Sequence, residues 1–254
     1  MRVKSLVAMW ACFASVGCHY DWPLEGDAST QGGGGASGST CEGIFFCHDF
    51  DDGSIDPPWD RSYIDDGASV LLEPIADAAP ATAPYALSTS TEATSEYAYI
   101  ARNFRTSGTL PPTLTTPISR GTLSFAVRAD QLDPAAPACL AGIVFDDDGD
   151  NRHSVRLLFG STAAKLEEVI DGTSTNLPLA SGLELGKWSV VTLAVEVGGR
   201  IVVEIDGEKV LDAAAAPTWQ ASDSIRIVLG INFVEGTAVG SSSFFFDDAR
   251  FQVM

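Results

Sequence analysis

Between Gly186 and Asp212 the chain reads GKWSVVTLAVEVGGRIVVEIDGEKVLD, and this stretch narrows the possible folds more than any other. Trp188 to Val197 alternates and is rich in β-branched side chains, the signature of a strand with two unlike faces. Gly198-Gly199 makes a two-residue connection, Arg200 to Ile205 alternates again, and Asp206-Gly207 makes a second connection suited to positive φ. The result is a three-stranded antiparallel meander. One face of it needs cover, which a packed second sheet or a closed barrel supplies.

The rest of the chain repeats the theme. Short strands are expected near Ser69 to Glu73, Tyr85 to Ser90, Tyr97 to Phe104, Gly121 to Ala129, Cys139 to Phe145 and His153 to Phe159. Ala164 to Ile170 and Thr173 to Pro178 flank Asp171-Gly172 as another hairpin, and Ile225 to Phe233 and Ser242 to Phe251 complete the set. A further apolar run begins at Cys41. Pro80 and Pro84 break the one alanine-rich segment that favours a helix. Some thirteen or fourteen strands and no helix of ordinary length predict an all-β chain of two antiparallel sheets.

The formal charge of −19 with only 15 Lys and Arg excludes a nucleic-acid surface, which needs clustered cations. The N-terminus carries Arg2 and Lys4 before an apolar run from Leu6 to Val16, too short to span a bilayer and the right length for a signal-peptide core. Its end, Ser15-Val16-Gly17-Cys18, resembles the bacterial lipobox. That resemblance implies cleavage after residue 17, a lipidated Cys18 as first residue, and a formal charge that moves from −19 to −21 as Arg2 and Lys4 leave. With His19 and not Asp after the cysteine, it also implies an outer-membrane destination in a cell with two membranes. Residues 18–40, rich in Gly, Ser and Thr, read as a flexible tether, and 41–254 as one domain.

Within 41–254, a strand opened by Gly-x-Trp at Trp188 is followed by one ending in Ile-Asp-Gly at Asp206 and Gly207. Next come an in-phase aliphatic strand leading to Leu229-Gly230 and a closing Phe246-Asp247-Asp248, while Asp49-Phe50-Asp51 with Trp59 opens the domain. This pattern resembles the concanavalin A-like lectin and glucanase jelly roll, including laminin G-like domains of bacterial envelope lipoproteins. The resemblance implies a two-sheet jelly-roll sandwich and a surface-tethered lipoprotein that binds glycan or protein without catalysis. A glycan-cleaving enzyme of the same fold and a structural envelope lipoprotein without small ligand are the alternatives.

The resemblance also implies one structural calcium ion between the first and last strands, with Asp247, Asp248, Asp49 and Asp51 as ligands. Asp247 is in phase with Phe245, Ala249 and Phe251, and Asp248 with Phe244 and Phe246, so either carboxylate is a candidate for the inward position. No organic cofactor is implied. Glu204-Ile205-Asp206-Gly207-Glu208 looks like the paired-carboxylate signature of retaining glucanases, but Asp206-Gly207 is a hairpin turn and separates the two glutamates onto different strands. With three histidines dispersed at His19, His48 and His153, neither a zinc triad nor a convergent general base is expected. Among Trp59, Tyr63, Tyr97, Tyr99, Trp188 and Trp219, the ligand-binding candidates are Trp219 in a loop and Tyr97 with Tyr99 on one strand face. Cys41 with Cys47 is the expected disulfide, which requires a turn at Glu42-Gly43, and Cys139 is the alternative partner of Cys47.

Overall fold

The computed structural model describes residues 45–56, 58–75, 84–105, 117–146, 152–216 and 221–253. In chain order the strands are β1 (Phe46–His48), β2 (Arg61–Ile64), β3 (Ser69–Pro74), β4 (Tyr85–Thr91), β5 (Ala98–Arg105), β6 (Arg120–Gln131), β7 (Ala138–Asp146) and β8 (Arg152–Phe159). They continue with β9 (Ala164–Ile170), β10 (Thr173–Pro178), β11 (Trp188–Glu196), β12 (Arg200–Ile205), β13 (Glu208–Ala214), β14 (Ser224–Val234) and β15 (Ser242–Val253). Among the described residues there is no helix.

Two antiparallel sheets result. The eight-stranded sheet runs β13-β12-β11-β6-β15-β4-β3, with β1 also on β15, and the seven-stranded sheet runs β10-β9-β8-β7-β14-β5-β2. The expected meander is β11, β12 and β13, and its tip has Asp206 at φ 54° and Gly207 at φ 79°. Asp171 and Gly172 adopt the same paired left-handed geometry between β9 and β10, at 47° and 78°. Both are the primed turns whose twist matches that of the flanking strands.

Alternation delivers one face of each sheet to a shared core. Leu123, Phe125 and Val127 of β6, Phe244, Phe246 and Phe251 of β15, and Val191, Leu193 and Val195 of β11 are buried against the other sheet. That sheet contributes Ile225, Ile227, Leu229 and Ile231 of β14 with Ile143 and Phe145 of β7. Each such aliphatic or aromatic side chain contributes about 1.5–3 kcal/mol on burial. Trp59 closes one end, 1% exposed, edge-on to Phe46 at 5.1 Å, and its indole N–H donates to His48 Nδ1 at 3.1 Å.

Three expectations need correction. β2, reading RSYI, was not foreseen: it is a four-residue, mostly exposed edge strand without an apolar alternation. The phase of β15 breaks at a bulge between Asp247 and Arg250, where Asp248 takes φ 50°. Phe244 and Phe246 before the bulge and Ala249 and Phe251 after it therefore all face the core, while Asp247 shares the outer side with Phe245. Finally, Cys139 is a free thiol, fully buried, and burial pushes it up to about 12, so it does not bridge Cys47. Cys47 is not a free thiol, and Cys41 lies outside the described residues.

Candidate functional site

The outer face of the seven-stranded sheet gathers the polar and aromatic groups best placed to meet a ligand. Pairing registers set the rows that cross it. One row is Arg61, Ala101, Val228, Gly142, Arg156, Glu167 and Asn176, running from β2 through β5, β14, β7, β8 and β9 to β10. A neighbouring row holds Asn103, Arg226, Val144 and Ser154. On the other side, Tyr63 pairs with Tyr99. The middle of the first row is therefore low, because Ala101, Val228 and Gly142 are small, and it is bordered by Arg61 at one end and Arg156 at the other, with Tyr63 and Tyr99 in the adjacent row.

The tyrosines act as a unit. Tyr63 and Tyr99 stack with centroids 4.7 Å apart and planes 15° apart, and Tyr97 meets Tyr99 edge-on at 6.1 Å. Tyr99 is 7% exposed, so Tyr63 and Tyr97, both half-buried, present the accessible ring surface. Tyr97 and Tyr99 are thus brought together as expected from the sequence, and Tyr63 on the unforeseen β2 completes the group. Trp219 lies outside the described residues.

Beside them runs a polar relay that sequence reasoning missed. Arg226, only 5% exposed, donates from Nε to Asn103 Oδ1 at 2.5 Å. Asn103 in turn donates from its backbone N–H and from Nδ2 to Asp60 Oδ2, at 2.7 and 3.1 Å. Arg102 closes the relay on Asp60 Oδ1 at 2.5 Å. The available signal was an arginine between Ile225 and Ile227 in an otherwise apolar strand, a position where a charge needs a partner. Farther along the face, Arg156 Nη1 pairs with Glu167 at 3.3 Å and its guanidinium lies 5.4 Å from the Phe233 ring centre.

The four carboxylates expected to hold calcium each lie against donors of the protein. Among the described residues no three His, Cys, Asp or Glu side chains converge as a metal ion requires. Each of the four carboxylates has a protein donor. Asp247 Oδ1 accepts the Asp248 N–H at 2.8 Å, and Asp248 pairs with Arg250 at 3.3 Å. Asp49 accepts the Asp51 N–H at 3.3 Å, and Asp51 accepts the Tyr85 N–H at 3.5 Å. Excess EDTA is accordingly expected to leave the melting temperature unchanged in a calorimetric scan; a fall would restore the ion.

The Glu-x-Asp-x-Glu stretch lies on the other sheet. Asp206 Oδ1 accepts the Val190 N–H at 2.8 Å, a turn-closing role, and Glu204 sits opposite Lys209 across the hairpin. The two described histidines also lie elsewhere. His48 is buried against Trp59 and Phe50, and His153 shares the core-facing register of Phe145. Burial lowers both imidazoles, His153 to about 3, while Asp52, Asp49 and Asp51 oppose the effect at His48.

No family model matches the chain, and no curated protein matches it. Solved structures do. The chain is similar to the cellulose-induced protein Cip1, with TM-score 0.59, 12% identity, and 81% of this chain covering 96% of that one. It is also similar to a sialidase (TM-score 0.52, 18% identity, 82% of this chain and 18% of that one). A family 7 alginate lyase crystallised with substrate gives TM-score 0.50 at 15% identity over 66% of this chain and 78% of that one. The fold is a concanavalin A-like jelly roll. At these identities the jelly-roll likeness extends to architecture alone, and the chemistry has to come from this chain's own side chains.

Proposed function

We propose that this protein is a non-catalytic, surface-tethered lipoprotein whose jelly roll binds glycan on the outer face of the seven-stranded sheet. The observation that carries the reading is the Tyr63, Tyr97 and Tyr99 cluster beside the low row of Ala101, Val228 and Gly142. Aromatic faces pack against the apolar faces of sugar rings, and the adjoining Asn103, Arg226 and Ser154 supply the few directional polar contacts that fix orientation. From Tyr99 on β5 to Arg156 on β8 there are three strand spacings, about 14 Å, room for a short oligosaccharide. Glycan-active or glycan-induced proteins among the structural neighbours agree with this substrate class.

The lipobox at Ser15 to Cys18 supports an acyl anchor on Cys18, the tether at 18–40 supports reach from the membrane, and the charge of −19 supports an anchor that is acyl and not electrostatic. Placement at the outer membrane follows from His19 after the cysteine. With Cys139 free and Cys47 not, Cys41 is the partner we assign to Cys47.

A glycan array, read with wild type and with Tyr63→Ala, is the direct test. Tyr63 is half-buried on an edge strand, so its removal is expected to spare the fold and to weaken glycan binding about tenfold, the value of a lost aromatic contact of roughly 1.4 kcal/mol. Release of reducing or unsaturated ends from any bound polysaccharide would establish the enzymatic alternative instead. No binding across the array would leave a structural envelope role.

A further inference from the structure

We infer that the ligand of this face is a polyanionic polysaccharide, bound across the strands by a spaced set of arginines. The inference rests on the glycan-binding reading above and names its substrate class. Its basis is a local reversal of charge. The whole chain carries −19, yet the charged side chains that the registers place on the outer face of the seven-stranded sheet are Arg61, Arg105, Arg156, Lys165 and Arg226, against Glu167 and, just past the end of β14, Glu235, which pairs with Lys165. The outer face of the eight-stranded sheet shows no such bias. There Arg128 pairs with Asp130, Arg200 and Lys209 share Asp212, and Arg250 pairs with Asp248. A strongly acidic protein repels polyanions in general, so an excess of cations on one face creates a region able to attract them.

Their spacing says more. Arg61 on β2 and Arg156 on β8 lie in the same row, four strand spacings and about 19 Å apart, and Arg226 on β14 sits midway in the neighbouring row. Each neighbouring pair is separated by two spacings laterally and two residues lengthwise, about 12 Å between Cα atoms. A single carboxylate satisfies one of these positions. A chain of acidic sugars running along the row over Ala101, Val228 and Gly142 offers anionic groups to all three, with its rings on Tyr63 and Tyr97.

Two details fit a recognition role. Arg226 is held from behind by Asn103, itself held by Asp60, so the guanidinium is positioned before any ligand arrives. Arg156 keeps Nη1 on Glu167, which orients its guanidinium on the face. Asn103 and Asp60 are positioning residues in this scheme.

The test uses the purified full chain and three probes of matched length: polygalacturonate, dextran sulfate and neutral dextran, measured by calorimetry or biolayer interferometry. Binding to one or both anionic chains and weaker binding to dextran are expected, and whichever anion wins identifies carboxylate or sulfate as the recognised group. Affinity is expected to fall at least tenfold between 50 and 500 mM salt, as screening shortens the reach of the arginines. Arg61→Gln, at an exposed edge position, and Arg156→Gln are each expected to lower affinity about tenfold. Arg226→Lys keeps the charge and loses the planar fork, so a drop in affinity with an unchanged melting temperature supports the positioned guanidinium. Equal or better binding to dextran, or no effect of Arg61→Gln and Arg156→Gln, overturns this inference and leaves glycan binding standing. Failure to bind these probes and every glycan of the array overturns both.

Discussion

Gly230→Ala is expected to be the most damaging single substitution in the domain, lowering stability by about 4 kcal/mol and the melting temperature by roughly 10 °C. Gly230 sits in the middle of β14 with φ +109°, a backbone conformation that side-chain-bearing residues rarely adopt. A Cβ built there lies 2.7 Å from the Ala98 carbonyl oxygen, 2.8 Å from Tyr99 Cα and 3.1 Å from Thr89 Cγ2. The first two are backbone atoms of the adjacent strand, which cannot retreat without breaking the pairing of β14 with β5. The clash also displaces Tyr99, so glycan binding is expected to fall together with stability. Gly142→Ala is the control. Its φ is ordinary and its added Cβ meets the Val155 carbonyl at 3.2 Å, a contact eased by a shift of a few tenths of an ångström. Thermal melts of the two variants that fall together would refute the account.

The second large effect is acid destabilisation set by His153. Burial lowers its imidazole from 6.5 to about 3, so the folded state holds it neutral while the unfolded chain protonates it below 6.5. In the window from pH 6.5 down to about 3 the unfolded state binds more protons, and stability falls as pH falls, by at most about 1.4 kcal/mol per pH unit. At pH 5 the loss from this residue is about 2 kcal/mol. His48, also lowered by burial, pulls in the same direction below 6.5. Asp133 adds a loss at lower pH. Burial alone raises its carboxyl, but backbone N–H donors from Ala135, Gly240, Val239 and Ala136 outweigh this and lower it, so its contribution is present above 3.8 and lost as pH falls through the folded value. Denaturant melts at pH 7 and pH 5 check the prediction. His153→Gln is expected to flatten the dependence, and an equally steep variant would show that the titrating group is another one.

The parts of this fold that were legible in sequence are the parts encoded within a few residues. Asp171-Gly172 and Asp206-Gly207 announce their turns because few residues tolerate positive φ, and the alternation of β6, β11 and β14 announces which faces are buried. The phase of Asp247 was misread because one extra residue at Asp248 reverses the alternation, and nothing in Phe-Asp-Asp-Ala-Arg-Phe marks a bulge. β2 was invisible because an exposed four-residue edge strand is sustained by its partner and not by its own pattern. The site was half legible for the same reason. Tyr97 and Tyr99 share a face two residues apart, a local fact, whereas Tyr63, Asn103, Asp60 and Arg226 meet only because β14 lies between β5 and β7. That adjacency is a property of sheet order, which no local window contains.

Sheet order also governs how such a chain comes into being. The last two strands to be delivered are interior ones: β14 lies between β7 and β5, and β15 between β6 and β4. A polypeptide emerging N-terminus first, from a ribosome or through a translocon, has neither sheet joined until residues 224–253 arrive. Up to that moment only β6 with β11, β12 and β13, β7 with β8, β9 and β10, and the pairs β3-β4 and β2-β5 can join, and each piece lacks its central neighbour. Completion of the sandwich thereby waits for these last residues and is slow, since the joining contacts are between segments far apart in sequence. If the chain is exported as proposed above, that delay favours its crossing a membrane, and a chaperone that shields β6 and β7 before β14 and β15 appear is expected to raise its yield.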